Sequence, residues 1–353
     1  REFCPPVNPG RFSAGRRNAS LNSKGHCLKV VDTLRRGKKY LIRRPDQAIL
    51  ASEGRPLGEC WLKGISLLAV NGKKMNLKAK PGDFLGRWRE IISDPLNLLI
   101  ERVPNSGNVD EYGYVCLHNG NKVSLSGENS YYGDFSKILL LNRGVHEPLE
   151  EFCFQETLRK IRDKKPVMVE LGSYWAHYSM WFLKKFPEAE CFMVEESSAG
   201  LNVGRRNFLA NNFGNGKFIH SKVSNDGFKL DSFSKGKKLE EVTILHSDIQ
   251  GWELEMLDGA EGFLIQQAVK YIFLSTHSQK IHQEAEEKLE HFGYIIEVSS
   301  DFDNHTTSYD GFILATAPRA ERVFGNFQPF GRNEILKGTP NEMIDYLRNV
   351  NCV

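Results

Sequence analysis

Four short stretches in the second half of the chain place acidic, hydroxyl and imidazole groups directly behind apolar runs. They are Val169-Glu170-Leu171-Gly172-Ser173-Tyr174, Met193-Val194-Glu195-Glu196-Ser197, His246-Ser247-Asp248-Ile249-Gln250-Gly251 and Ser275-Thr276-His277-Ser278. A carboxylate at the tip of a buried strand can take a cationic or donor group of a ligand, and a glycine beside it lets the backbone come close. Glu170, Gly172, Ser173 and Tyr174 are therefore candidates for one binding loop. Glu195 follows the glycine turn by roughly 20 positions, the spacing at which nucleotide-type sites hold ribose hydroxyls. Ser224, just past a third apolar run, is grouped with the same ligand. Asp248 and His277 pair a carboxylate with an imidazole, a combination that orients a substrate and moves its proton. Taken singly, an acidic residue after a strand is more often a helix cap; four polar strand ends in succession converge on one crevice.

The elements that would position these groups alternate. Glu147–Ile161 reads as a helix from the near-helical recurrence of Leu149, Phe152, Phe154, Leu158 and Ile161. Strands are expected at Pro166–Leu171, Ala189–Val194, Lys217–Val223, Val242–Asp248 and Lys270–Ser275, with helices at His177–Lys185, Ala199–Asn211, Trp252–Phe263 and Ile281–His291. Tyr294–Ser299 and Gly311–Thr316 finish as two strands too close together to hold a helix between them. Alternating strand and helix implies an α/β fold, a parallel sheet covered on both faces, and the helix-free final pair implies an antiparallel strand at its edge.

The first half is less regular. Residues 1–25, rich in Pro, Gly, Arg, Asn and Ser, read as a flexible leader. Residues 26–143 read as an α+β accessory region, with strand-like segments at Leu28–Val31, Cys60–Val70, Tyr112–Leu117 and Lys122–Leu125 and a hairpin turn at Asn119-Gly120-Asn121. Phe84–Ile92 and Leu96–Val103 look helical, broken at Asp94-Pro95. Residues 144–320 form the expected catalytic domain and 321–353 a C-terminal extension.

Bulk properties exclude little. A net charge of +3 over 353 residues does not call for a nucleic-acid or membrane partner, and the basic cluster from Arg35 to Arg44 reads as a solvated face. No apolar run approaches the roughly 18 residues of a membrane span. The seven cysteines are scattered without a CxxC pair, which argues against a zinc-ribbon or disulfide framework and fits a cytoplasmic protein. The triplets Asn18-Ala19-Ser20 and Asn304-His305-Thr306 have the glycosylation pattern but arise often by chance.

A dinucleotide cradle needs G-x-G-x-x-G, and the loop from Gly172 to His177 has one glycine, so a nicotinamide cofactor is disfavoured. S-adenosylmethionine, which has no phosphates, needs no such cradle and is the expected cofactor. The stretch from Gly144 to Pro318 resembles the FkbM methyltransferases. The likeness rests on Gly144-Val145-His146-Glu147-Pro148, the Glu170 loop, Val194-Glu195 with Arg206-Asn207 and Asn211-Asn212, and above all Asp248-Ile249-Gln250-Gly251-Trp252-Glu253 through Leu257-Asp258-Gly259-Ala260. The resemblance implies a Rossmann-like class I methyltransferase with a mostly parallel seven-stranded sheet. It also implies O-methylation of a hydroxylated small molecule such as a sugar, with His277 as base and Asp248 orienting base or substrate. No resident metal is expected; nucleic acid is disfavoured as acceptor, and a homodimer is allowed for. The chain departs from the family's Asp-x-Gly-Ala-Asn-x-Gly loop at Glu170, at Tyr174 where Asn is usual and at Ala176 where Gly is usual, and it has Gln250 for the commoner Glu. Those departures keep a second reading in view, a methyltransferase fold serving only as a binding module.

Overall fold

The computed structural model describes residues 84–214, 216–303, 306–325 and 327–351. The leader, the expected strands at Leu28–Val31 and Cys60–Val70, the basic cluster and both glycosylation-type asparagines lie outside the described residues.

Helix α1, Phe84–Ser93, ends where Asp94 caps a 3-10 turn, Pro95–Leu98, by accepting the Leu96 N–H at 2.9 Å. The helix expected over Leu96–Val103 stops there. Gln155 captures the Glu101 N–H and donates to the Leu99 carbonyl, so tertiary bonds replace helical ones. Strands β1, Tyr114–Cys116, and β2, Lys122–Ser124, form an antiparallel hairpin around Asn119-Gly120-Asn121. A 3-10 turn, Gly133–Lys137, leads into α2, Ile138–Leu141, and then α3, Pro148–Lys160, whose proline occupies the first turn where its missing N–H is not needed.

From Val167 the expected alternation holds. The elements are β3 (Val167–Leu171), α4 (His177–Lys185), β4 (Glu190–Glu195), α5 (Ser198–Ala210), β5 (Lys217–His220), α6 (Leu230–Lys237), β6 (Val242–Ser247), α7 (Glu253–Asp258), α8 (Glu261–Ile265), β7 (Val269–Thr276), α9 (Gln279–His291), β8 (Ile295–Ser300) and β9 (Gly311–Thr316). Helix α6 escapes the sequence reading because only Leu230 and Ser234 of its eight residues are buried, which leaves little periodicity. The helix expected over Trp252–Phe263 is two short ones, split at Gly259-Ala260, where Asp231 accepts the N–H groups of Gly262 and Phe263 at 2.9 and 2.8 Å. Two further helices, α10 (Arg332–Lys337) and α11 (Pro340–Asn351), follow the sheet.

The seven strands take the order β5-β4-β3-β6-β7-β9-β8. All neighbours are parallel except that β9 slots antiparallel between β7 and β8. The period-two alternation of the strands sorts side chains to two cores. Met168, Ile244, Phe273 and Leu314 face α3, α4 and residues 84–145, while Val169, Leu245, Ile272, Leu274 and Ile313 face α6 to α9. On the first face Ile91, Leu117, Phe135 and Val145 pack into one core with Phe154 and Phe182. The order reverses at β3 and β6, so the crevice for a ligand opens beyond the carboxyl ends of those two strands.

Candidate active site

A cavity of about 350 Å³ opens at that switch point. It falls within the range of small-molecule sites, roughly 300–1,000 Å³. Of the residues named from the sequence, Glu170, Gly172, Ser173, Tyr174, Glu195 and Asp248 line it. Ser224 does not. Strand β5 ends at His220, and it is Ser221, Lys222 and Val223 that turn into the wall, while Ser224 closes a tight turn with Gly227. His277 does not line the cavity either; it stands behind Asp248.

The loop after β3 is shaped by backbone constraint. Gly172 has φ +72, and a Cβ there would lie 1.8 Å from the Asp248 carbonyl oxygen. The glycine is thus required by the crossing of two strand ends, the close approach being to β6 rather than to a ligand. Tyr174 and Ala176 are also left-handed, with φ of 37 and 58. Glu195 fastens this loop to β4, one oxygen accepting the Tyr174 N–H at 3.0 Å and the other the Ser197 N–H at 2.8 Å. Each carboxylate oxygen keeps a second lone-pair direction for a ligand hydroxyl. Ser173 is buried, its Oγ has no hydrogen-bond partner among the described residues, and it borders the cavity. That orphaned group calls for a polar ligand atom.

Glu170 is turned toward the start of α4, where it accepts the Ser179 N–H at 3.2 Å; burial pushes its carboxyl up to about 7, partly offset by His246. His246, in the strand, bonds Glu150 at 2.5 Å, and Ser275 donates to the other Glu150 oxygen at 2.9 Å. The Tyr174 phenol donates to the Ser130 carbonyl at 3.0 Å and accepts from the Tyr132 N–H at 3.3 Å. This ties the loop to Glu128, Tyr131 and Tyr132, which form the opposite wall. Trp175 packs inward between Tyr131 and His177, at centroid distances of 4.4 and 4.9 Å. The wall thus reaches back to Glu128, ahead of the boundary drawn at Gly144 from the sequence.

At the β6–β7 end, His277 sits among carboxylates. Its Nδ1 contacts Glu253, and its Nε2 lies 3.2 Å from Asp248 and 3.5 Å from Asp310; the Gln250 amide stands 2.8 Å from the same nitrogen. Burial pulls the imidazole down, but the bonds to Asp248 and Glu253 and the Asp310 charge outweigh it and hold His277 up at about 11. At neutral pH that favours the imidazolium, which must give up a proton before it can accept one. Asp248 is held below the usual carboxylate range, because the His277 hydrogen bond and charge overcome its burial. Asp310, which the sequence reading missed, is raised to about 7 by burial, with the His277 charge partly opposing. Asp248, His277 and Asp310 bring one ligand atom each within 4.8 Å of one another, as do His118, Glu151 and His177.

Among the described residues, six carboxylic groups border the cavity, Glu128, Glu147, Glu170, Glu195, Glu196 and Asp248, against one lysine, Lys222, and His146, which in spite of burial is held up at about 10 by Glu147 and Glu151. Lys222 is itself stacked over Trp252, 3.6 Å from the ring centre. No helix among the described residues is long and apolar enough to cross a membrane.

Solved structures similar to the chain include a precorrin-6y C5,15-methyltransferase from Geobacter metallireducens, 18% identical over 46% of this chain and 86% of that one, with a TM-score of 0.34. TrmK of M. capricolum in complex with S-adenosyl-homocysteine is 15% identical over 56% and 81%, also at 0.34. An O-methyltransferase from Bacillus cereus in complex with the same product is 15% identical over 49% and 82%, at 0.33. Among curated proteins no significant match is found. The methyltransferase FkbM domain matches residues 118–296, just over half of the chain. The chain belongs to the FkbM methyltransferase family and is an S-adenosylmethionine-dependent methyltransferase.

Proposed function

We propose that this enzyme methylates a hydroxyl group on an uncharged small acceptor such as a sugar. The observation that carries the reading is the carboxylate array around His277 at one end of a cavity with six acidic residues and a single lysine on its wall. Such a wall repels the phosphates of a nucleic acid, whose binding depends on clustered Lys and Arg. An alcohol, by contrast, must lose its proton as the new carbon–oxygen bond forms, and needs a nearby group to take it.

S-adenosylmethionine supplies an electrophilic methyl group when bound. Glu195 would hold the ribose hydroxyls, and Ser173, the backbone from Gly172 to Tyr174 and Glu170 would line the wall along that cofactor. Tyr131 and Tyr132 close the side facing the loop. Asp248 accepts the hydrogen bond of the acceptor's hydroxyl. Asp248 takes that proton and hands it to His277 Nε2 as the same nitrogen releases its own proton to Asp310, so Asp248 and His277 return to their starting states while Nδ1 stays anchored on Glu253. The proton given up by the acceptor is thus balanced by one gained on Asp310, the member of the array that titrates near neutrality. His277 relays the proton and does not store it. On the same reading the enzyme works in the cytoplasm, with Cys116, Cys153 and Cys191 as free buried thiols.

The test is transfer of a labelled methyl group to a panel of sugars, other alcohols, amines and short RNAs. Transfer to a hydroxylated small molecule that drops at least 100-fold in Asp248→Asn is expected; transfer confined to amines or RNA would sink the proposal.

A further inference from the structure

Beside His146, on the α3 side of the sheet, lies a second cluster that methyl transfer does not use. His118 follows β1, Glu151 lies on α3 and His177 opens α4; their side chains are fully buried, at 0% exposure. The Nδ1 of His118 lies 3.3 Å from the Glu101 carbonyl. A carbonyl oxygen only accepts, so Nδ1 carries a proton. The Nε2 of the same ring stands 2.8 Å from Oε2 of Glu151. Oε1 of Glu151 is occupied by the N–H groups of His146 and Glu147, at 2.8 and 3.2 Å. His177 has no hydrogen-bond partner on either ring nitrogen, and its Nε2 is 4.0 Å from Glu151.

The fully buried His177 thus stands beside Glu151 with both of its ring nitrogens unpartnered among the described residues, and a buried orphan of that kind is costly unless something binds it. We propose that His118, Glu151 and His177 bind a zinc-class divalent cation. Two imidazoles and one carboxylate are a donor set zinc favours, with water in the fourth position. A histidine that ligates a metal ordinarily donates its other ring N–H to a carbonyl or carboxylate, as His118 does to Glu101. The three donor atoms lie within 4.8 Å of one another, and donors about 2.1 Å from one tetrahedral ion would stand about 3.4 Å apart, so the side chains would close in by up to about an ångström on binding. The ion would pin the segment after β1, α3 and α4 together. Through Glu151 it would also fix the backbone of His146 and Glu147, both on the cavity wall.

The experiment is elemental analysis of the full chain, purified in zinc-containing buffer and then dialysed. The His118→Gln/His177→Gln variant and an Asp310→Asn/His277→Ala variant, in which the inner cluster is intact, are measured in parallel. About one zinc per chain is expected in the wild type and the outer-site variant, with at least tenfold less in the inner-site variant. Cobalt added to the metal-free outer-site variant should give visible ligand-field bands at one equivalent, a readout that does not depend on whether the inner-site variant folds. A folded wild type that takes up no zinc, zinc retained without His118 and His177, zinc lost with Asp310 and His277, or no cobalt bands would each overturn the proposal.

Discussion

Replacing Asp310 with asparagine should make the protein more stable at alkaline pH and a slower enzyme, a combination that few other substitutions would give. The Asp310 carboxyl is raised from 3.8 to about 7, chiefly by burial, with Asp248 adding repulsion and His277 relieving part of it. A raised folded pKa means that the folded chain holds this proton more tightly than the unfolded chain. The group's stabilising share is full below the unfolded value of 3.8 and is lost as pH rises through about 7. Three pKa units at about 1.4 kcal/mol each set an upper bound near ~4 kcal/mol. Asparagine avoids that loss but takes away a negative neighbour 3.5 Å from the His277 imidazolium, which returns part of it. The expected net gain is about 1–3 kcal/mol near pH 8, shrinking toward zero near pH 4, where aspartic acid and asparagine are both neutral. Methyl transfer should fall roughly 100-fold, the usual contribution of a positioned proton acceptor. In the wild type the rate should rise as pH climbs through about 7, since Asp310 must be ionised to receive the proton. Urea denaturation across this pH range, run beside the rate assay, measures both. A variant no more stable than wild type near pH 8, or one that keeps full activity, refutes the assignment.

Four further substitutions probe the cofactor end. Glu195→Ala should weaken S-adenosylmethionine at least tenfold, about 1.4 kcal/mol, in a calorimetric titration, because it removes the ribose acceptor and frees the Tyr174 and Ser197 N–H groups; an unchanged affinity in a folded variant would contradict the site. Gly172→Ala should cost roughly 3 kcal/mol or more in a denaturation curve, whereas Gly251→Ala, also at positive φ but with nothing within 4 Å of the new methyl, should cost only about 1–2 kcal/mol. Equal losses would mean that the crossing with Asp248 does not matter. Tyr174→Phe should cost about 1 kcal/mol and speed hydrogen exchange over residues 128–134, since it removes the bonds to Ser130 and Tyr132.

Much of this arrangement is legible in the sequence because the buried strands are continuous apolar runs and polar residues begin where burial ends. Glu170, Glu195 and Asp248 sit at strand ends, and the rule that ligands bind beyond carboxyl ends finds them. The same rule hides Asp310. Strand β9 runs antiparallel, with Gly311 opposite Thr276. It therefore presents its beginning, not its end, at the crevice, and the residue before its first position lands beside His277. The helix-free final strand pair was the available signal. His277 also stands at a strand end, but the carboxylates that favour its protonated form, Glu253 and Asp310 among them, are brought near only by the fold. The wall from Glu128 to Tyr132 lacks any periodicity and comes from outside the alternating region, so nothing local marks it.

The departures from the family's loop find a physical reading in the backbone. Asn and Gly, usual at positions 174 and 176, are the residues that tolerate left-handed φ, and this chain keeps that conformation with Tyr174 and Ala176 in their place. Gln250, at φ 55, does the same across the cavity. Each non-glycine residue held this way costs about 1–2 kcal/mol, so tertiary contacts must hold the shape. Tyr174 is bound at its backbone by Glu195 and at its phenol by Ser130 and Tyr132. Ala176 is fully buried, and a Cβ on Gly204 would lie 2.8 Å from the Tyr174 carbonyl oxygen, so α5 can approach this loop only with glycine at 204. Gln250 places its amide against His277. Glycine would reach the same backbone without these contacts, but it would also leave the loop free to depart from it. The replacement of Asn by Tyr174 and of Gly by Ala176 therefore argues for a rigid cofactor loop, and against the reading in which they mark a fold that has given up its ligand.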